Sequence, residues 1–300
     1  MRIFTLLNCV SRKGTAAATT LLFAGASMLG ASPASDLWLC HENCATAELF
    51  APGIVNQPGK PELGASRCAF SPGGTEMAYA RFDGERMNIV FRHFADGAWG
   101  AETVAPFSGT ELDFEPVLTA DGKRIYFTSR RDGNKFRIYY SDRSPDGWEA
   151  PHALQGEVNS AAASLFPLPV GNDFYFVSLR EGGLGGMDIY VAPGVNPEGA
   201  KVQNLDAPIN SPGTEFDPCF SPDGKFVIFS RNWDLFVSRR DETGAWGEPV
   251  NLGAKVNSPD LCEVAPIITP DGKVLLFTRF GSGTQANVYA IGIKSIPALN

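Results

Sequence analysis

The chain has 300 residues and a formal net charge of −8, with 32 Gly, 22 Pro, 21 Phe, 7 Tyr and 5 Trp. So much turn-forming and aromatic residue favours short strands joined by tight turns over long helices, and a repeat fold of this length forms a single domain. The acidic balance repels phosphate backbones and anionic membrane surfaces, so no nucleic acid is expected as a partner.

In chain order, Arg2, Arg12 and Lys13 precede an apolar stretch from Thr15 to Leu29, which is too short and too rich in Ala and Gly for a membrane span. Ser32 and Ala34 follow at positions a signal peptidase prefers, so residues 1–34 read as a cleaved secretory signal. Cys9, preceded by Asn8 and no hydrophobic region, is a poor lipidation site. Cleavage removes three basic residues and no acidic one, moving the net charge from −8 to −11. It also leaves no transmembrane segment, so a periplasmic or secreted location is expected.

Residues 35–45 read as an N-terminal tail. Five cysteines remain after the signal: Cys40, Cys44, Cys68, Cys219 and Cys262. An exported chain can oxidise them, and Cys40 with Cys44 is the pair near enough in sequence to suggest a bridge. The odd count leaves at least one unpaired, or pairing between chains. C-x3-C without a second Cys/His pair makes no zinc site, and no metal or cofactor is expected.

Residues 46–295 are organised by an internal repeat. SPGG at Ser71, TADGK at Thr119, LPVGN at Leu168, SPDGK at Ser221 and TPDGK at Thr269 place glycines at 74, 122, 171, 224 and 272, spaced 48, 49, 53 and 48 residues apart. Five residues after each glycine stands an aromatic: Tyr79, Phe127, Phe176, Phe229 and Phe277. A third strand is marked by Ile89-Val90, Ile138-Tyr139, Ile189-Tyr190, Leu235-Phe236 and Val288-Tyr289, and a fourth begins near Trp99, Trp148 and Trp246. Val55-Asn56, Val158-Asn159, Ile209-Asn210 and Val256-Asn257 then carry the chain into the next unit.

Each unit is a four-stranded antiparallel blade whose first hairpin turns on Pro-Asp-Gly. A lone blade leaves both faces bare, and only a closed ring buries them. The last copy stops after its third strand near Ile293, while a stray strand, roughly Glu48 to Val55, precedes the first. The prediction is therefore an all-β, five-bladed propeller closed by an N-terminal strand joining the C-terminal blade, with residues 296–300 as a C-terminal tail.

The columns S-P-D-G-K, then F-S-R or F-T-S-R, then D-I-Y or D-L-F resemble the WD40-like repeats of TolB-type propellers. The best copies are Ser221 to Lys225 with Phe229-Ser230-Arg231 and Asp234-Leu235-Phe236, and Thr119 to Lys123 with Thr128-Ser129-Arg130. The resemblance implies an exported scaffold whose loops or central channel hold a partner. Only a dozen residues separate the signal from the first strand, with no counterpart of the mixed α/β domain preceding the propeller of TolB, so the likeness is to the family and not to TolB itself. The third unit departs furthest, with turn Leu168 to Asn172, no Trp, and a Gly-rich insertion at Glu181 to Gly186 that reads as a flexible hairpin extension or a binding loop.

Acidic residues begin several innermost strands: Asp113, Glu215 and Glu263, each three residues before a proline, with Glu115 and Asp217 close by. If they converge in a central channel they raise one another's pKa, as a glycosidase acid and base require, which makes Asp113, Glu215 and Glu263 the catalytic candidates of a carbohydrate-active reading. Three of them share one repeat column, however, and arginines fill another: Arg81, Arg130, Arg231 and Arg279, with Arg180 nearby. Charges repeated in step suggest ion pairs stitching neighbouring blades, with no catalytic role. Asp188 and Asp234 read as turn hydrogen bonding. His41, His93 and His152 are scattered, giving a metal triad or a Ser-His-Asp set little to draw on. The first expectation is a non-enzymatic, monomeric module binding a protein or peptide, with Asp113, Glu115, Glu215, Asp217 and Glu263 as binding residues. The second is a glycosidase-like or glycan-binding propeller.

Overall fold

A computed structural model describes residues 37, 38, 41–60, 62–133, 135–160, 163–281 and 285–300. The signal assigned to residues 1–34 lies outside them. Five antiparallel sheets follow in chain order, with innermost strands Gly64–Phe70, Asp113–Leu118, Ser164–Val170, Glu215–Phe220 and Cys262–Ile268. They begin blades one to five. In each, the second and third strands follow outward, and the fourth is a two-residue piece. The ring closes as predicted: Glu48–Leu49 pairs with Asn287–Gly292, the third strand of blade five, in the register Glu48↔Ala290. Among the described residues, no helix is long and apolar enough to cross a membrane.

The repeated aromatics Tyr79, Phe127, Phe176, Phe229 and Phe277 are fully buried on the second strands and fill the seams between blades. Ile89, Phe91, Ile125 and Phe127 pack between blades one and two. Tyr126, Ile138, Phe174 and Phe176 do so between two and three. Alternating side chains along each strand supply both seams from one element.

Two polar devices repeat at these seams. The asparagine of each Val-Asn step mimics a ladder partner: Asn210 Oδ1 accepts from Ile189 N at 2.9 Å while its Nδ2 donates to Ile189 O at 2.8 Å. Asn56, Asn159 and Asn257 treat Val288, Ile138 and Leu235 in the same way. Between blades one and two the corresponding step is Phe107-Ser108, and Ser108 Oγ accepts from Ile89 N. The second device is the arginine column. Arg81, Arg131, Arg180, Arg231 and Arg279 donate to the carbonyls of Val55, Phe107, Val158, Ile209 and Val256, tying the crossing segment to the next blade.

Three expectations are corrected here. The arginine of blade two is Arg131 and not Arg130, because a register shift between Ser129 and Asp132 adds a residue, and Arg130 lies instead over the Phe136 ring. The Gly-rich segment is pinned and does not extend freely: Leu184 N donates to Asp188 Oδ2, and Gly186 N to Gly213 O. A Cβ on Gly185 would lie 2.2 Å from Gly213 O, so only glycine lets the two backbones meet. Finally, Cys44 keeps its thiol, 3.7 Å from Nδ1 of His41, so the suggested Cys40–Cys44 bridge is not formed; Cys40 itself lies outside the described residues. Cys262 is disulfide-bonded, whereas Cys68 and Cys219 are buried thiols.

The segments flanking the propeller pack onto it. Trp38 is buried against Phe70 with ring centroids 4.8 Å apart, and its indole N–H donates to Asp271. Ile296 and Leu299 are buried in the seam between blades four and five.

Candidate functional site

Every innermost strand carries a bulge at one column, and the residue there has positive φ: Arg67 (40°), Glu115 (55°), Phe166 (54°), Asp217 (55°) and Ala265 (50°). The register shifts fall at Ser66/Cys68, Phe114/Val117, Leu165/Leu168, Phe216/Cys219 and Val264/Ile267. Such a bulge turns one side chain out of the strand's alternation. Arg67 from blade one, Glu115 from blade two and Asp217 from blade four meet at the axis.

There Arg67 Nε lies 3.3 Å from Glu115 Oε2, and Nη1 lies 3.9 Å from Asp217 Oδ1. The three residues are 3 %, 4 % and 1 % exposed, so the channel is closed at this level. Ser66 Oγ approaches Glu115 Oε1 at 3.5 Å, and Ala265 N donates to Asp217 Oδ2 at 2.9 Å. Burial, then the negative charge of Asp217, pushes the Glu115 carboxyl up to about 8. Burial raises Asp217 as well, opposed by Arg67 and the Ala265 N–H. One guanidinium neutralises one carboxylate, and the second keeps its proton near neutral pH. Arg67 Nε and Nη1, Glu115 Oε2 and Asp217 Oδ1 lack hydrogen bonds of good geometry, so the cluster is held by charge more than by directed bonds.

This plug divides the channel. On one side Phe114, Phe166, Phe216, Val264 and Phe280 enclose about 60 Å³, reaching Glu115 and Asp217. On the other, towards the Pro-Asp-Gly hairpins, a cavity of about 310 Å³ opens, with Arg67 at its floor and Leu118, Leu168, Val170, Phe220 and Ile267 on its walls. Pro169, Pro222 and Pro270 edge its mouth.

The remaining acidic candidates do not join the axial cluster. Asp113, Glu215 and Glu263 are fully buried, each turned to an arginine of its own blade: Arg131 at 2.8 Å, Arg231 at 2.8 Å and Arg279 at 2.9 Å. Glu215 also accepts from the Ser211 hydroxyl and N–H at 2.5 and 3.0 Å. Burial raises its pKa, opposed by Ser211 and Arg231. The ion pairs thus lie within blades, and what spans two blades is the arginine's second contact, to the crossing carbonyl. Blade one has Ala65 at this column, so Arg81 pairs with Glu102 at 2.7 Å instead. Arg67 was missed from the sequence. Its signal was register: it stands seven residues before Gly74, as Glu115 and Asp217 stand before Gly122 and Gly224.

No family model matches the chain. The Tol-Pal system protein TolB of Nitratidesulfovibrio vulgaris is 27% identical over 104 residues, which cover 35% of this chain and 21% of that protein. The chain therefore matches about a fifth of the length of this curated relative. The crystal structure of TolB from Acinetobacter baumannii superposes with TM-score 0.50 at 20% identity, covering 75% of this chain and 54% of that one. The α-L-arabinofuranosidase from Lactobacillus brevis gives TM-score 0.54 at 12% identity, covering 78% and 92%. The likeness to TolB-type propellers is thus one of fold and of partial sequence, and at these identities the arabinofuranosidase shares the fold alone.

Proposed function

We propose that this chain is an exported scaffold of the cell envelope or extracellular space that binds a protein or peptide at the hairpin end of its channel. The observation carrying this reading is the 310 Å³ cavity, edged by prolines and lined by apolar side chains apart from Ser221 and the one charged floor residue, Arg67, which two carboxylates already engage. Its volume sits at the low end of ligand sites, about 300–1,000 Å³. It suits an apolar side chain or two of a larger partner better than a sugar, whose hydroxyls need polar groups directed at them. Asp113, Glu215 and Glu263 are held by arginines within single blades, which supports a structural role for them. The N-terminal leader pattern and the partial likeness to TolB support the envelope location.

The test is crosslinking in the native host, followed by affinity purification and mass spectrometry of tagged wild type, Leu168→Glu and Glu215→Gln. A protein that co-purifies with wild type and Glu215→Gln, but is lost from Leu168→Glu at unchanged Tm, is the expected result. Co-purifying glycan without protein, together with a hydrolytic activity lost in Glu215→Gln at unchanged Tm, would overturn the reading in favour of a carbohydrate-active propeller.

A further inference from the structure

Just before the closing strand, the chain brings three ligand types together. His41 Nδ1 lies 3.7 Å from Cys44 Sγ and 3.8 Å from Glu48 Oε2, and all three ligand atoms fall within 4.8 Å of one another. His41 and Cys44 are placed by a short turn, in which His41 N donates to Trp38 O and Cys44 N to His41 O, whereas Glu48 belongs to the strand paired with Ala290. We propose that His41, Cys44 and Glu48 form a binding site for a borderline divalent metal ion of the zinc class, which clips the N-terminal turn to the strand that closes the ring.

The separations are close to what such an ion imposes. Tetrahedral zinc with Zn–N near 2.0–2.1 Å and Zn–S near 2.3 Å holds nitrogen and sulfur about 3.5 Å apart. The two pairs that include His41 Nδ1 need to draw in by only a few tenths of an ångström, and the sulfur–carboxylate pair, which lies within 4.8 Å, closes to about 3.6 Å by rotation of the exposed Glu48 side chain. Charge fits as well: a divalent ion, one thiolate and one carboxylate sum to zero, with neutral imidazole as the third donor. His41 is 8 % exposed, so its ring is held in place by its surroundings. Its ring rests against Phe50 at 6.1 Å, which fixes its orientation. Cys44 is partly exposed and Glu48 exposed, so the ion has an entry path and a fourth position for water. Among the described residues the other thiols, Cys68 and Cys219, are buried, and burial pushes Cys68 up to about 12, away from the thiolate a metal requires. The expectation of no metal considered cysteine pairs in sequence, whereas this set mixes donor types across a turn and a strand.

The experiment is titration of the full chain, purified under argon to preserve the thiols, first with Zn²⁺ by calorimetry and then with Co²⁺ by absorption. The expected result is one saturable site, a sulfur-to-cobalt charge-transfer band in the near ultraviolet displaced by Zn²⁺, and a Tm that rises with Zn²⁺ and falls back on chelation. Cys44→Ser should abolish the charge-transfer band, and His41→Ala should abolish saturable binding. Because His41 is buried, Glu48→Gln serves as a milder variant that should weaken binding while leaving the metal-free Tm unchanged. No saturable binding by wild type, or an unaltered cobalt spectrum in Cys44→Ser, would overturn the proposal.

Discussion

The seams between blades and the axis of the ring are built from the same five repeats, yet they treat polar residues in opposite ways. At the seams, each blade offers nearly the same set: a buried aromatic, an arginine reaching a carbonyl, and an asparagine closing on a strand. At the axis, the five equivalent bulge positions hold Arg, Glu, Phe, Asp and Ala, so the five-fold repetition is broken by chemistry while the backbone keeps it. Repetition is what an architectural role leaves behind, since each blade must solve the same packing problem. Individuality at a shared position marks a place where the ring as a whole, and not the blade, sets the demand.

Replacing Arg67 should separate the two regions most sharply. Arg67→Met leaves the one ionised carboxylate of the buried Glu115–Asp217 pair without its counter-charge, at a cost of about 3–5 kcal/mol. For a domain of this size that is a fall in Tm on the order of ten degrees. The triple variant Arg67→Met/Glu115→Leu/Asp217→Leu should recover most of that loss. If it melts as low as the single variant, the axis is held by packing and the contrast with the seams disappears.

A seam residue should cost less. Asn210→Ala strips the partner from the Ile189 N–H and one of two donors from its C=O, which the Leu205 N–H also reaches, for about 1–3 kcal/mol by urea denaturation. A value near zero would mean that the asparagine column follows from the turn and contributes little to the seam.

A third measurement sharpens the comparison through pH. Glu115 has its pKa raised in the fold, so its contribution to stability is complete below about pH 4.5, its unfolded value, and is lost as pH rises towards about 8. Denaturation midpoints of wild type and Glu115→Gln should therefore agree near pH 4.5 and diverge above it, the variant becoming relatively more stable by pH 8.5. Parallel profiles across this range would place the proton elsewhere.

The sequence made the seams legible because their residues recur at a period of about 49, and a column of five aromatics leaves little choice of register. Ring closure was legible for the same reason: a missing strand at one end and a spare at the other complete one blade. The axis was not. Asp113, Glu215 and Glu263 look like channel residues by position, and only the bulge one turn of the pleat later decides that Glu115 and Asp217 point inward while the other three turn back to arginines. Arg67 shares no residue type with its column mates, so its role appears only once three blades meet. Ser108 hid for a related reason, since a hydroxyl there accepts the Ile89 N–H that an asparagine side chain takes elsewhere. The cluster of His41, Cys44 and Glu48 joins a turn to a strand, and no spacing rule spans the two.

The closing strand has a consequence in time as well as in space. Asn56 holds the carbonyl and N–H of Val288, 232 residues further along the chain, so the first blade element to be made waits for nearly the last. A chain emerging from the ribosome, or threading through a translocon, can assemble blades one to four locally, hairpin by hairpin, but it cannot seal the ring until its far end is free. Such long-range closure slows folding and leaves an edge exposed in the interval. During that interval the edge strand Asn287–Gly292 is an open template for any extended segment, and the residues from Glu48 to Asn56 act as the molecule's own built-in competitor for it.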